Sequence, residues 1–151
     1  VMRGTALAEG IGEKLTMLPA APDCYVLVGK PALNVSTRQA YESLRLSEIT
    51  GHPDICALAQ AIRDNDLSAM IPHMKNVFEP GLTRENPVIG QIKDLMLENG
   101  AFHAMMSGSG PTVFGLFTSW EAQQKAAGVL RESQLAKTVF ATRFFNSRRR
   151  K

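Results

Sequence analysis

Five small residues, Ser107-Gly108-Ser109-Gly110-Pro111, stand between two apolar runs at 101–106 and 112–117. So short a connection cannot hold the crossover of a dozen or more residues that parallel strands need. The two runs are therefore predicted to pair as an antiparallel hairpin, and any fold for this chain must contain it. A third run of strand length, Tyr25-Val26-Leu27-Val28, is expected to stop at Gly29 and Pro31. Residues 138–145, rich in β-formers, read as a last strand.

Between these strands the apolar spacing changes to helical. Ser36 or Thr37 is a cap for a helix carrying Ala40, Tyr41 and Leu44. Ile55, Leu58, Ala59 and Ile62 mark one face of a second helix. Leu67, Met70, Ile71 and Met74 repeat the pattern behind Asp66, again a cap. Pro87 opens another helix with the face Val88, Ile92, Leu95 and Met96, and Gly100 ends it. Thr118-Ser119-Trp120-Glu121 reads as a capping box before Ala122, Ala126, Val129 and Leu130. Residues 1–20 read as two short extended pieces around Gly10 and Gly12. The fold class expected is α+β: a mainly antiparallel four-stranded sheet with helices packed on one side.

Apolar residues make up 44% of the 151 and charged residues 21%, a composition that excludes disorder. The formal charge of +3 comes from the tail: without Arg148, Arg149, Arg150 and Lys151 it is −1. The body is near neutral, so neither nucleic acid nor a membrane surface is expected as a partner. No apolar run reaches the roughly 20 residues of a membrane span, and no signal peptide is expected, since the opening Val-Met-Arg-Gly-Thr-Ala holds no apolar h-region. Cys24 and Cys56 form no CxxC pair. The expectation is a cytoplasmic protein with reduced thiols. A chain that opens on Val1 rather than on an initiator Met is what a fragment, or processing, would leave.

Familiar catalytic sets are missing. His52, His73 and His103 have no metal-ligand spacing, Ser107-Gly108-Ser109-Gly110 is not a nucleophile elbow, and Gly10-Ile11-Gly12 lacks the third glycine of a dinucleotide fingerprint. The 107–111 loop reads two ways. Its small residues can turn backbone N–H groups outward as a nest for an anion, or they can make a plain hairpin connection.

Met106-Ser107-Gly108-Ser109-Gly110-Pro111-Thr112-Val113-Phe114-Gly115 resembles the third conserved motif of the GHMP kinases, in the form used by bacterial members that act on a diphosphocytidyl-methylerythritol. Gly4-Thr5-Ala6-Leu7-Ala8-Glu9-Gly10-Ile11-Gly12-Glu13 resembles the segment that follows the catalytic Asp of those enzymes. Pro31 with Val35-Ser36-Thr37 and Tyr41 resembles their substrate-contacting strand-to-helix corner. Each motif alone is moderately specific; three in the right order carry far more.

The resemblance implies a kinase that moves the γ-phosphoryl of ATP, with Mg2+, onto a hydroxyl of a cytidine diphosphate substrate in isoprenoid precursor synthesis. It implies that residues 1–20 end the kinase N-terminal domain and 21–151 form the GHMP kinase C-terminal domain. Thr37 matches a hydroxyl contact near the transferred group, and Tyr41 the aromatic that stacks on cytosine. Ser107, Gly108, Ser109 and Gly110 match the loop that closes over the phosphates. The chain departs from the family pattern by starting just after the place of the catalytic Asp and by holding no Gly-Gly-Gly-Ser-Ser phosphate loop. No catalytic residue and no metal ligand is therefore expected in it, and alone it is expected to be inactive, with ATP bound mainly by the N-terminal domain. Two alternatives stand beside this: a non-catalytic small-molecule-binding module of α+β form, or a sister GHMP kinase with another substrate.

Overall fold

The computed structural model describes residues 4–45, 49 and 51–144. Its elements in chain order are β1 (Ala6–Glu9), β2 (Lys14–Met17), β3 (Tyr25–Lys30), α1 (Thr37–Glu42), α2 (Ile55–Arg63), α3 (Leu67–Met70), α4 (Glu79–Glu85), α5 (Pro87–Glu98), β4 (His103–Met106), β5 (Val113–Phe117), α6 (Trp120–Glu132) and β6 (Thr138–Arg143). They fall into two units. One comprises Val1–Asp23, Pro53–Met74 and Phe144–Lys151, the other Cys24–His52 and Lys75–Arg143. The basic tail at 148–151 lies outside the described residues, as does Phe145 of the expected last strand.

In the first unit β1 and β2 pair antiparallel, with Ala6 opposite Met17 and Glu9 opposite Lys14. Helices α2 and α3 start at aspartates whose side chains accept from the backbone three residues on, Asp54 from Ala57 and Asp66 from Ala69. Ala61, Ile62 and Met70 form a small buried cluster with Leu18, Leu58, Leu67 and Met74 against it. The helix predicted to run on to Met74 stops at Met70 and continues as one 3-10 turn, Ile71–His73. Pro72 has no N–H to donate, so the α-helical ladder cannot pass through it.

The second unit is built on a sheet of order β4-β5-β3-β6, antiparallel throughout. Strand β3 does not end at Gly29, as its sequence suggested. Gly29 lies within the strand, between Val113 and Val139. A Cβ there would sit 2.9 Å from Leu130 Cδ2 and 3.1 Å from Ile92 Cγ2, so the missing side chain is what lets α5 and α6 close on the sheet. Leu27, Ile92, Met96, Phe117 and Leu130 fill that interface and are fully buried. Burying each such side chain contributes roughly 1.5–3 kcal/mol.

Helix α5 begins with Pro87 at its first position and ends in a Schellman motif. Gly100 (φ 97°) donates to Leu97 and Ala101 to Met96. At α6 the cap is Ser119, one residue later than the predicted box places it. Its hydroxyl accepts from Ala122 N–H, and Glu121 bonds that hydroxyl instead of the cap backbone. That contact holds the Glu121 carboxyl below its ordinary pKa. Helix α4 had no counterpart in the sequence reading. Among the described residues no helix is long and apolar enough to cross a membrane, and neither Cys24 nor Cys56 is in a disulfide.

Candidate functional site

The antiparallel hairpin expected between β4 and β5 forms, with Met106 opposite Val113. Its connection is a tight turn. Ser107 N–H donates to Thr112 C=O at 2.8 Å, and Gly110 N–H donates back to Ser107 C=O at 3.0 Å. Gly108 (φ 57°) and Gly110 (φ 76°) lie in the left-handed region that favours glycine, and the Gly110–Pro111 peptide is cis. A Cβ on Gly110 would stand 2.6 Å from Met106 Sδ, whereas one on Gly108 meets nothing.

The loop amides therefore divide. The N–H of Gly110 is spent inside the turn, so its contribution is conformational. Those of Gly108 and Ser109, with the hydroxyls of Ser107 and Ser109, have no acceptor among the described residues. Ser107 and Gly108 are exposed. Unspent backbone donors on a left-handed turn are what an anion-binding nest consists of.

The second predicted cluster lies on α1. Ser36 caps that helix in a full capping box with Gln39: its hydroxyl accepts from Gln39 N–H, and Gln39 Oε1 accepts from Ser36 N–H at 2.8 Å. This fixes the first turn, where Thr37 is exposed, and one turn later Tyr41 is 63% exposed. Ala40, between them, is the residue that α1 buries fully in the core. Tyr41 meets Phe78 edge to face, ring centroids 5.1 Å apart and planes at 81°. On another side of α1 a cleft of about 200 Å³ is lined by residues including Gln39, Glu42, Glu85 and Asn86.

Three residues that sequence reasoning missed connect the two clusters. Asn76 Nδ2 donates to Met106 C=O at 2.7 Å and Gly108 C=O at 2.9 Å, while its Oδ1 accepts from Phe78 N–H at 3.0 Å. Glu79 Oε2 accepts from Met106 N–H at 2.7 Å, and Lys93 pairs with the other Glu79 oxygen. The Tyr41–Phe78 contact and the 107–110 loop thus share one stretch of chain at the start of α4. His103 adjoins this network with its Nε2 buried and without a partner. Burial first, then the Lys93 charge, lowers its pKa below the ordinary 6.5, against an opposing pull from Glu79. A lone asparagine bonding carbonyls 30 and 32 residues away leaves no periodic signal. Among the described residues no group of three or more His, Cys, Asp or Glu could hold a metal ion.

Residues 58–134 match the family model described as GHMP kinases C terminal. The chain is 47% identical over 148 residues to the 4-diphosphocytidyl-2-C-methyl-D-erythritol kinase of Lachnoclostridium phytofermentans, covering 98% of itself and 51% of that relative. It is also 47% identical over 145 residues to the kinase of the same name from Lachnospira eligens, covering 96% of itself and 50% of the relative. The chain thus spans about half the length of these curated relatives. Among solved structures, a 4-(cytidine 5'-diphospho)-2C-methyl-D-erythritol kinase superposes with a TM-score of 0.76 at 26% identity, over 94% of this chain and 50% of that one. A homoserine kinase from Cytophaga hutchinsonii shares the fold, with a TM-score of 0.69 at 24% identity, over 93% of this chain and 47% of that one.

Proposed function

Because this chain belongs to the GHMP kinases, as their C-terminal domain, we propose that it forms the C-terminal half of a 4-diphosphocytidyl-2-C-methyl-D-erythritol kinase of isoprenoid precursor synthesis. The observation that carries this is 47% identity across 98% of the chain to a relative of that name. In this reading residues 1–20 end the N-terminal domain and 21–151 form the C-terminal domain. The reaction moves the γ-phosphoryl of ATP to a hydroxyl of the methylerythritol moiety, in the cytoplasm. ATP supplies the phosphoryl group, and the N-terminal domain contributes most of its binding. Mg2+ accompanies the ATP; among the described residues no group of three or more His, Cys, Asp or Glu could hold a metal ion.

This chain's own contribution is positioning and electrostatics, which dominate phosphoryl transfer. Tyr41 holds the cytosine by stacking, at about 1–3 kcal/mol for a base on an aromatic face. Thr37, one helical turn earlier, orients the acceptor end with its hydroxyl. Gly108 and Ser109 turn their N–H groups, and Ser107 and Ser109 their hydroxyls, to the phosphate oxygens, where charge builds up. Gly110 sets the turn that presents them.

The test is turnover by the full-length protein. With ATP and the cytidine diphosphate acceptor, ADP formation at an ordinary kinase rate of about 1–100 s⁻¹ is expected. Homoserine and mevalonate are expected to give none. Preferential phosphorylation of either would replace this reading with that of a sister kinase.

A further inference from the structure

Strand β4 is the edge of its sheet, and the 107–110 loop springs from its last residue. An edge strand leaves alternate N–H and C=O groups without a strand partner. At Met106 side chains from one short stretch, Asn76 and Glu79, take that partner's place. Glu79 accepts from the Met106 N–H and Asn76 donates to its C=O, both at 2.7 Å. Asn76 then reaches past the strand end to Gly108 C=O at 2.9 Å. One residue along, Ser107 N–H turns the other way, to Thr112 C=O just before β5. The loop is gripped from the sheet on one side and from Asn76 on the other.

We propose that Asn76 is a positioning residue of the kinase: its carboxamide sets the 107–110 turn so that the Gly108 and Ser109 N–H groups meet the phosphate in transit. The proposal rests on the reading of this loop as the phosphate-side loop. The chemistry asks for a carboxamide, because one end donates to two carbonyls while the other accepts from Phe78 N–H. An aspartate has the same shape and keeps the Phe78 contact. It would set a carboxylate oxygen against the carbonyls of Met106 and Gly108, where all three are acceptors. Asn76→Asp therefore releases the loop with minimal change elsewhere.

The experiment compares wild type, Asn76→Asp, Asn76→Ala and Gly110→Ala in the full-length kinase. It measures kcat, KM for each substrate, thermal melting, and amide exchange across residues 106–112. For Asn76→Asp, kcat is expected to fall about 10–100-fold, as a misplaced reacting geometry does. The KM for the cytidine diphosphate acceptor should stay near wild type, and exchange should quicken at Ser107 and Gly110. Asn76→Ala should move kcat in the same direction, which keeps the test open if the aspartate variant folds poorly. A folded Asn76→Asp enzyme with normal kcat beside an impaired Gly110→Ala overturns the role of Asn76 and leaves the loop's own role standing. Normal kcat in both overturns the phosphate-side reading together with this one.

Discussion

An added Cβ meets nothing at Gly128 or Gly108, but Met106 Sδ at 2.6 Å at Gly110. Gly128 lies inside α6, so Gly128→Ala is expected to stabilise by roughly 0.5–1 kcal/mol through lost backbone entropy. Gly108→Ala forces a side chain into the left-handed region and should cost about 1–2 kcal/mol. Gly110→Ala adds the collision with buried Met106 to the same backbone strain and should cost more. Chemical denaturation of the three variants gives the order directly, and equal effects at 108 and 110 would show that Met106 yields. Tyr41 belongs to the same scale. With most of its surface in solvent, Tyr41→Ala in the full-length enzyme should weaken cytidine substrate binding roughly 5–150-fold, the equivalent of 1–3 kcal/mol. Tyr41→Phe should bind normally, since the ring face makes the contact. Titration and melting on the same variants decide: an Ala variant that melts lower and binds normally would make Tyr41 a mere packing partner of Phe78. His103 carries a pH dependence of definite sign. Its pKa is lowered on folding, so the unfolded chain takes up the proton first as pH falls. Its stabilising contribution is full above about 6.5 and is lost progressively below it. The slope of stability against pH between 7.5 and 5.5 should flatten in His103→Asn; an unchanged slope would place the titration elsewhere.

Helix α6 shows at the next scale what the sequence displayed and what it concealed. Its apolar spacing and serine-containing start predicted the helix, and its face buries Ala126, Ala127 and Leu130. The same face also buries Gln123, 2% exposed, whose Nε2 donates to Val26 C=O and Thr142 C=O at 2.8 and 2.9 Å. A glutamine on a helix reads as a surface residue; only the sheet beneath it reveals two carbonyls to satisfy. Gln123→Leu should cost about 1–3 kcal/mol although it adds apolar surface, because the buried Val26 carbonyl loses a donor. A neutral or stabilised variant would mean that water takes the amide's place. Helix α4 was illegible for a different reason. Glu79–Glu85 buries only Gly81 and Leu82, too few to show a period. It packs so close that a Cβ on Gly81 would lie 2.5 Å from Ser43 C=O. The helices with three or more periodic apolar residues and the hairpin about its glycines were legible, since local spacing produces them. Asn76, Glu79 and Lys93 were not, because their partners lie 14 to 32 residues away.

For the whole molecule, the chain covers about half of relatives that carry the complete kinase name. Its described residues supply loop donors and an exposed aromatic. The 151 residues alone are accordingly expected to fold without phosphoryl transfer. ADP release from ATP and the cytidine diphosphate acceptor is the measurement, and turnover near 1 s⁻¹ would show that the chemistry needs only these residues. Strand β3 has a consequence for how such a protein is made. It is central in its sheet, yet both neighbours come late: it pairs with Val113–Phe117 on one side, and on the other Tyr25 meets Arg143. While the ribosome is still adding α2 to α5, β3 has emerged and neither of its flanks exists. An apolar Tyr-Val-Leu-Val segment then waits with both backbone edges open, and at a synthesis rate of about 5–20 residues per second the wait lasts several seconds. Partners so distant in sequence also close slowly once they are present. Chaperones that cover extended apolar segments would find their target here, and a stalled nascent chain would be at its most aggregation-prone just before β5 is made, when neither edge of β3 has a partner.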